Sequence, residues 1–432
     1  LEFDFMLPDF IEIVPLDKPV HAEITVPGSK SITNRALVLA ALADGEVTLE
    51  GALWSEDTQV MVDCLQRLGF EARVEPDPNE FCNRTITLRG RGGEIPNAGT
   101  REKPLELFVG NAGTAARFLS AMVCLGRGVY RLSGVPRMHE RPQAALFIAL
   151  RELGYRVECP NDKLPAMIHG SGPRRATCRV SIEESSQFAS ALLLSRKRGG
   201  WTVELCGEED DEESPYVALN FEMFIFFPEN GGKFHVEPDA SSASYFWAVA
   251  ALESVERASS IEVAHWRLTE RRWQIDADFP RFLPLPNTIS RCHELGDSVM
   301  TAIVLAPFAA HPVVFRDLGR LRVQECERVV ALRTELIKCG TKVIETGDTL
   351  EVFPSKLHGA EIETYNDHRM AMCFAVLGLK VPGIKLRNPS CVKKTFPNFF
   401  QKLAAAPPHG LGVTIRDGHT GRALSHEELF AD

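Results

Sequence analysis

Apolar residues along the chain follow two rhythms. Short runs at 22–26, 47–49, 84–88 and 129–132 alternate or stay apolar for only a few positions, which predicts strands. Longer stretches, such as 36–42 and 243–252, are apolar nearly all round and predict helices buried between layers. Six helices of this kind share one kind of start, in which small polar residues or glycine, often with a cation or a carboxylate, lead straight into the apolar run. The starts are Gly28-Ser29-Lys30-Ser31, Gly110-Asn111-Ala112-Gly113-Thr114, Ser185-Ser186-Gln187, Asp239-Ala240-Ser241-Ser242, Gly296-Asp297-Ser298 and Asn366-Asp367-His368-Arg369. Their spacing of roughly 50 to 85 residues leaves space in each interval for several strands and a second helix, so the chain reads as six βα units. Each polar helix start is expected to face whatever cleft the units surround.

The first start shows what such a terminus can do. Pro27 and Gly28 end the preceding extended run, Ser29 or Ser31 is placed to cap the helix, and Arg35 lies one turn beyond Ser31 on the same face. Taken alone the segment also reads as an ordinary capped core helix with one lysine; as a site, free backbone N–H groups, the positive end of the helix dipole and Lys30 would together hold an anion. A phosphate loop of the NTPase kind is excluded, because Gly-Lys-Ser is not contiguous and the glycine spacing is missing.

The totals narrow the ligand class. With 432 residues, 44% hydrophobic and 25% charged, the chain has apolar residues for two cores of about 200 residues each. The net charge of −10 argues against a nucleic-acid surface, so the local cations are read as serving small anionic substrates. Eleven cysteines without CxxC or Cys/His ligand spacing fit a reducing cytoplasm and offer no metal site. No apolar run reaches about 18 residues and no signal peptide is evident, so no membrane partner is expected. Leu1-Glu2-Phe3 reads as an appended segment before Met6. The acidic run 208–213 reads as a solvated loop, Pro280, Pro284 and Pro286 should break regular structure from 279 to 287, and residues 413–415 allow a small hairpin.

Taken together, the motifs resemble the 5-enolpyruvylshikimate-3-phosphate synthase family from about residue 11 to about 403. The matching motifs are Pro27-Gly28-Ser29-Lys30-Ser31 with Asn34-Arg35, Gly110-Asn111-Ala112-Gly113-Thr114-Ala115, and Pro136-Arg137-Met138 with Glu140-Arg141-Pro142. Further along come Asp239-Ala240-Ser241-Ser242-Ala243-Ser244-Tyr245, Tyr365-Asn366-Asp367-His368-Arg369-Met370-Ala371-Met372, and Lys394-Thr395-Phe396-Pro397, all in the family's order. The resemblance implies an α/β protein, a two-domain inside-out α/β barrel in which each domain holds three βαβαββ repeats. The first domain would be discontinuous, residues 1–28 and 238–432, with 29–237 inserted as the second and the active site in the cleft between them.

The family moves the enolpyruvyl group of phosphoenolpyruvate to the 5-hydroxyl of shikimate 3-phosphate, on the route to aromatic amino acids. By resemblance Lys30, Asn111, Gly113, Thr114, Arg137, Gln187, Arg328, Arg369 and Lys394 would hold phosphoenolpyruvate. Lys30, Ser31, Arg35, Ser185, Ser186, Gln187, Tyr216, Asp297, Arg320 and Gln324 would face shikimate 3-phosphate. Asp297 would take the hydroxyl proton, and Glu325, with Lys30 nearby, would protonate the vinyl carbon; apart from the resemblance, each acid reads as a surface ion-pair partner. No cofactor or metal is implied, a cytoplasmic monomer is expected, and Gly113 leaves the space on which the family's sensitivity to glyphosate depends.

Several positions depart from the family. Gln324 stands where a lysine is usual and Arg320 where an asparagine is, so either Arg320 or Arg322 restores the charge or the acceptor lacks the group that the lysine holds. Ser214-Pro215-Tyr216 is one residue shorter than the usual Ser-x-Pro-Tyr. His139, Phe118 and Gly296 replace a lysine and two prolines. Three readings stand: this synthase with a rearranged acceptor pocket, an enolpyruvyl transferase for another phosphorylated sugar or polyol, and a binding protein without activity. The UDP-sugar branch is disfavoured, since its loop cysteine has no counterpart in residues 136–142.

Overall fold

The computed structural model describes residues 6–182, 185–206, 214–257, 259–266 and 273–431. The acidic run 208–213 lies outside the described residues, and of Ser214 only the backbone is described. The chain divides into two compact units, one made of Leu1–Pro27 with Pro238–Asp432 and the other of Gly28–Glu237. No helix among the described residues is long and apolar enough to cross a membrane.

All six polar starts open helices, namely Lys30–Leu42, Gly113–Met122, Ser186–Gly199, Ala240–Arg257, Val299–Leu305 and His368–Gly378. The local chemistry explains several of these starts. Ser185 Oγ accepts the Gln187 N–H, Asp367 accepts the Arg369 N–H, and Asp239 accepts the Ser242 N–H. Ser29 occupies the cap position of the first helix without a side-chain bond. Because these helices are apolar on every side, they fill the interiors. In the discontinuous unit, Phe246, Phe396 and Phe399, all fully buried, pack against one another with ring centroids 5.5 to 6.2 Å apart.

The expected two-domain α/β architecture is present, with one difference in detail. Among the described residues, each unit holds two four-stranded sheets and one two-stranded sheet. In the Gly28–Glu237 unit the repeat from Leu105–Phe108 to Ala166–Ser171 runs strand, helix, strand, helix and two antiparallel strands. The repeat that begins at Ala176–Ser181 stops after Trp201–Cys206 and the helix Ser214–Phe226, because only residues 227–231 separate that helix from the strand Gly232–His235. The other unit repeats the abbreviation: His21–Ile24 pairs in parallel with Ser260–Val263, and residues 283–287 alone join Ile275–Phe282 to Thr288–Ser290. Five residues cannot form a hairpin with strands of useful length.

Two local expectations change. Pro280 lies inside the 3-10 helix Ile275–Phe282 rather than in a break, since a 3-10 turn tolerates proline where a longer α-helix would not. The small hairpin allowed at 413–415 changes in extent: Ile415–Asp417 is the fourth strand of a sheet, antiparallel to Phe10–Ile13, and the chain then turns back so that Arg416 bridges Ala423 in antiparallel fashion.

Candidate active site

In the discontinuous unit, five predicted residues gather around one fully buried cation. Arg328 donates to Asp367 through Nε at 2.7 Å and Nη2 at 3.2 Å, and to Glu325 through Nη2 at 2.8 Å. Its Nη1 bonds Gln324 Oε1 and lies 3.9 Å from Asp297. Lys394 Nζ reaches the other Glu325 oxygen at 3.0 Å, and Arg369 Nη2 reaches Asp297 at 3.0 Å. Fully buried Arg291 is 3.6 Å from the same aspartate. Asp297 and Glu325 are therefore two carboxylates on one arginine, each with further cations of its own.

Burial by itself would raise the Asp297 carboxyl, but Arg369, Arg328 and Arg291 outweigh it and hold it well below the usual carboxylate range. The carboxylate side is matched by its partners. Despite burial, Asp367, Glu325 and Asp297 hold Arg328 above its ordinary value, and Asp297 does the same for Arg369. By contrast, burial pushes Asp239 up, with Arg369 only partly offsetting it.

Two residues outside the predicted set fix this group. Asp276 accepts the Ser298 N–H at 3.0 Å, the Ser298 hydroxyl at 2.7 Å and the Ser241 hydroxyl. Gln274 accepts the Ala240 N–H at 3.1 Å and donates to the Pro238 carbonyl at 2.9 Å. One carboxylate thus ties the start of the Ala240–Arg257 helix to the residue after Asp297. Nothing in the spacing of Gln274 and Asp276 separates them from ordinary surface residues, so only their partners disclose them.

The Gln324 substitution has a definite structural consequence. Gln324 is turned onto Arg328, and Arg322 cannot replace the missing cation, because it pairs with Asp348 at 2.9 Å, Glu327 at 2.8 Å and Glu345 at 2.8 Å. Arg320 is left as the remaining candidate of the two, half-buried on the turn Gly319–Val323.

The Gly28–Glu237 unit carries two further groups. At the start of Gly113–Met122, Arg117 Nη1 donates to Gln187 Oε1 at 3.2 Å and Arg141 Nη1 to the Asn111 carbonyl at 3.2 Å. A methyl on Gly113 would meet the Arg117 guanidinium and sit 2.8 Å from Arg141 Nη2, so glycine is what lets both guanidiniums approach this helix start. Arg117 and Arg141 were not among the predicted site residues; Arg117 is one turn from Gly113, and Arg141 lies inside a matching motif. Thr114, Ser185 and Ser186 are buried at helix starts, whereas Arg137 is exposed and ion-paired with Glu140 at 2.7 Å.

Arg35 heads the second group. It is buried and donates to Asn220 at 2.9 Å, Ser190 at 3.0 Å, the Ser31 carbonyl at 3.0 Å and the Tyr216 carbonyl at 3.5 Å. The fully buried Phe118 ring lies 5.4 Å below its guanidinium. Lys30 pairs with Asp57 at 3.5 Å within its own unit. His139, in place of a lysine, accepts the Gly134 N–H at 3.1 Å through Nε2 and so carries a proton on Nδ1 when neutral.

A model of the EPSP synthase (3-phosphoshikimate 1-carboxyvinyltransferase) family matches residues 15–228 and 285–403. The unmatched stretch begins and ends at the two shortened connections. A 3-phosphoshikimate 1-carboxyvinyltransferase from Nostoc sp. is 37% identical over 91% of this chain and 99% of its own length. One from Vibrio atlanticus is 37% identical over 91% and 98%. In fold, the chain is similar to EPSP synthase from Acinetobacter baumannii, with a TM-score of 0.72, 20% identity and coverage of 94% and 99%. It is also similar to the enolpyruvyl transferase NikO from Streptomyces tendae, with a TM-score of 0.65, 16% identity and coverage of 94% and 98%. With the family model matched along most of its length and such relatives spanning about nine-tenths of it, the chain belongs to the EPSP synthase family.

Proposed function

We propose that this chain transfers the enolpyruvyl group of phosphoenolpyruvate to the 5-hydroxyl of shikimate 3-phosphate and releases phosphate. The observation that carries the reading is the pair Asp297 and Glu325, bound to one buried arginine and otherwise differently surrounded. Addition requires one group to take the hydroxyl proton while another delivers a proton to the methylene carbon. Asp297, held ionised by three arginines, is the base. Glu325, between Arg328 and Lys394, delivers its proton as the substrate oxygen bonds to the adjacent carbon, giving a tetrahedral adduct with a methyl group. In elimination Glu325 takes a proton back from that methyl, the vinyl double bond re-forms, and phosphate leaves with the proton from Asp297.

The arginines that depress Asp297 would make it a feeble base if they stayed bare. Placing the phosphate and carboxylate of phosphoenolpyruvate on Arg328, Arg369 and Lys394 neutralises them, so the proton affinity of Asp297 rises when substrate is bound. Asn111, Gly113, Thr114, Arg137 and Gln187 serve the same donor, joined by Arg117 and Arg141. Lys30, Ser31, Arg35, Ser185, Ser186, Tyr216 and Arg320 serve the acceptor. Arg35 does so by shaping the wall, since its guanidinium is already engaged by protein groups.

A second reading draws on Gln324 and the engagement of Arg322 by three carboxylates: the acceptor is another phosphorylated sugar or polyol that lacks the group a lysine would hold. Phosphate release from phosphoenolpyruvate with shikimate 3-phosphate tests both. Release with that acceptor supports the first reading. Release only with another acceptor selects the second, and no release with any acceptor leaves a binding protein.

A further inference from the structure

Tyr365 stands in a backbone conformation that a tyrosine rarely adopts. The Asp367 N–H donates to the Thr364 carbonyl at 2.9 Å, and both residues between them have positive φ, +54° at Tyr365 and +54° at Asn366. This is the pattern of a type I′ turn, which glycine and asparagine favour. Asn366 suits it. A tyrosine does not, because its Cβ crowds the following carbonyl in the left-handed region. Residues held against such a preference cluster where the surroundings fix them for a function.

The group that holds Tyr365 there is Glu335. It is fully buried on the Arg328–Lys338 helix, and its carboxylate accepts the Tyr365 hydroxyl at 2.7 Å, the Glu363 N–H at 3.2 Å and Lys338 Nζ at 2.8 and 2.9 Å. Burial and this carboxylate push the Tyr365 phenol up, so it stays protonated and donates. Glu335 lies about two turns beyond Arg328, on the same face of the same helix. From that face Arg328 reaches Asp367 and Glu335 reaches Tyr365, so one helix holds the 363–367 segment at two points. From another element, the Thr364 hydroxyl donates to the Arg387 carbonyl at 2.8 Å and Asn388 Nδ2 to Asn366 Oδ1 at 3.1 Å. A buried network in which both carboxylate oxygens are bonded stiffens what it holds. We propose, on the reading of Arg328 and Arg369 as phosphoenolpyruvate cations, that Glu335 and Tyr365 are positioning residues for that site: they lock the 364–367 turn in its left-handed form, which sets Asp367 against Arg328 and the Arg369 N–H. Without the hydroxyl the turn relaxes toward negative φ, Asp367 shifts, and Arg328 loses two of its hydrogen bonds.

Tyr365→Phe removes the hydroxyl and keeps the ring. Measured well below the melting midpoint, its KM for phosphoenolpyruvate should rise at least about fivefold and its turnover fall at least about threefold. Tyr365→Asn also lacks the phenol, but asparagine accepts the left-handed conformation, so both constants should return to within about twofold of native. Cys326 supplies a readout that needs no substrate, since its Sγ lies 3.5 Å from Asp367 Oδ2, and burial and that carboxylate push the thiol up. Once Asp367 shifts, iodoacetamide should label Cys326 at least about fivefold faster in Tyr365→Phe than in the native chain or Tyr365→Asn, read by peptide mass spectrometry. Glu335→Gln, which turns an amide toward the same donors, should label as Tyr365→Phe does. A Tyr365→Phe chain with a lower midpoint but native kinetics and native labelling makes the bond a fold contact only and overturns the proposal. So does a Tyr365→Asn chain as impaired as Tyr365→Phe. Labelling decides the lock even where no acceptor releases phosphate, which separates its failure from that of the enolpyruvyl reading.

Discussion

Lys394 Nζ lies 3.0 Å from Glu325, whose second oxygen is held 2.8 Å from Arg328. The glutamate is gripped by two cations inside one unit, so its place does not depend on Lys30, the cation that sequence reading set beside it. Replacing its acid function while keeping its shape isolates the chemistry. Glu325→Gln should lower turnover by about a hundredfold or more with little change in the KM for phosphoenolpyruvate. A fall of less than about tenfold, worth only about 1.4 kcal/mol, would remove Glu325 from the role of proton donor.

Asp297 has the pH consequence. Its carboxyl is depressed in the folded state, so its contribution is complete above the unfolded value near pH 4 and is lost as pH falls toward the lower folded value. The melting temperatures of the native chain and Asp297→Asn should therefore differ most near neutrality and converge below about pH 4. A gap that widens with acidification would contradict the three-arginine environment.

Arg35 is expected to matter to folding as well as to substrate. Arg35→Ala strips partners from Asn220 and Ser190 and opens space over Phe118, at a cost of about 2 to 4 kcal/mol. For a unit of this size that lowers the melting midpoint by at least about 4 °C. An unchanged midpoint, by differential scanning calorimetry, would mean that the residue serves the substrate alone.

Asp276 accepts three hydrogen bonds, and all three groups facing it in those contacts are donors. Asp276→Asn places an amide N–H₂ group against hydroxyl and backbone donors, so the residue after Asp297 loses its anchor. Turnover should drop about tenfold or more while phosphoenolpyruvate still protects against thermal unfolding. Native turnover in this variant would show that Asp297 is placed without it.

Gly113, proposed for the donor side, allows a test that separates binding from chemistry. Gly113→Ala pushes the methyl into Arg117 and toward Arg141, so the KM for phosphoenolpyruvate should rise at least about fivefold. Glyphosate should inhibit the native chain in competition with phosphoenolpyruvate and inhibit Gly113→Ala less. Native activity that persists under concentrations saturating for related enzymes would refute this, and Phe118, beneath Arg35, is the position to examine then.

The amino-acid sequence on its own determined the six helix starts and the family and nominated Asp297 and Glu325 as the candidate acids, because each depends on short-range chemistry: a capping group, a glycine, an apolar run, a motif in order. It could not show that Arg322 is consumed by Asp348, Glu327 and Glu345, since those partners come from strands and turns up to 26 residues away. Nor could it single out Asp276, whose worth lies in two helix ends brought to it by the fold. Sheet membership was decided at the same level. Whether a strand has a neighbour depends on pairing between distant segments, so only the tertiary structure revealed that, among the described residues, five-residue connections leave one sheet in each unit with two strands.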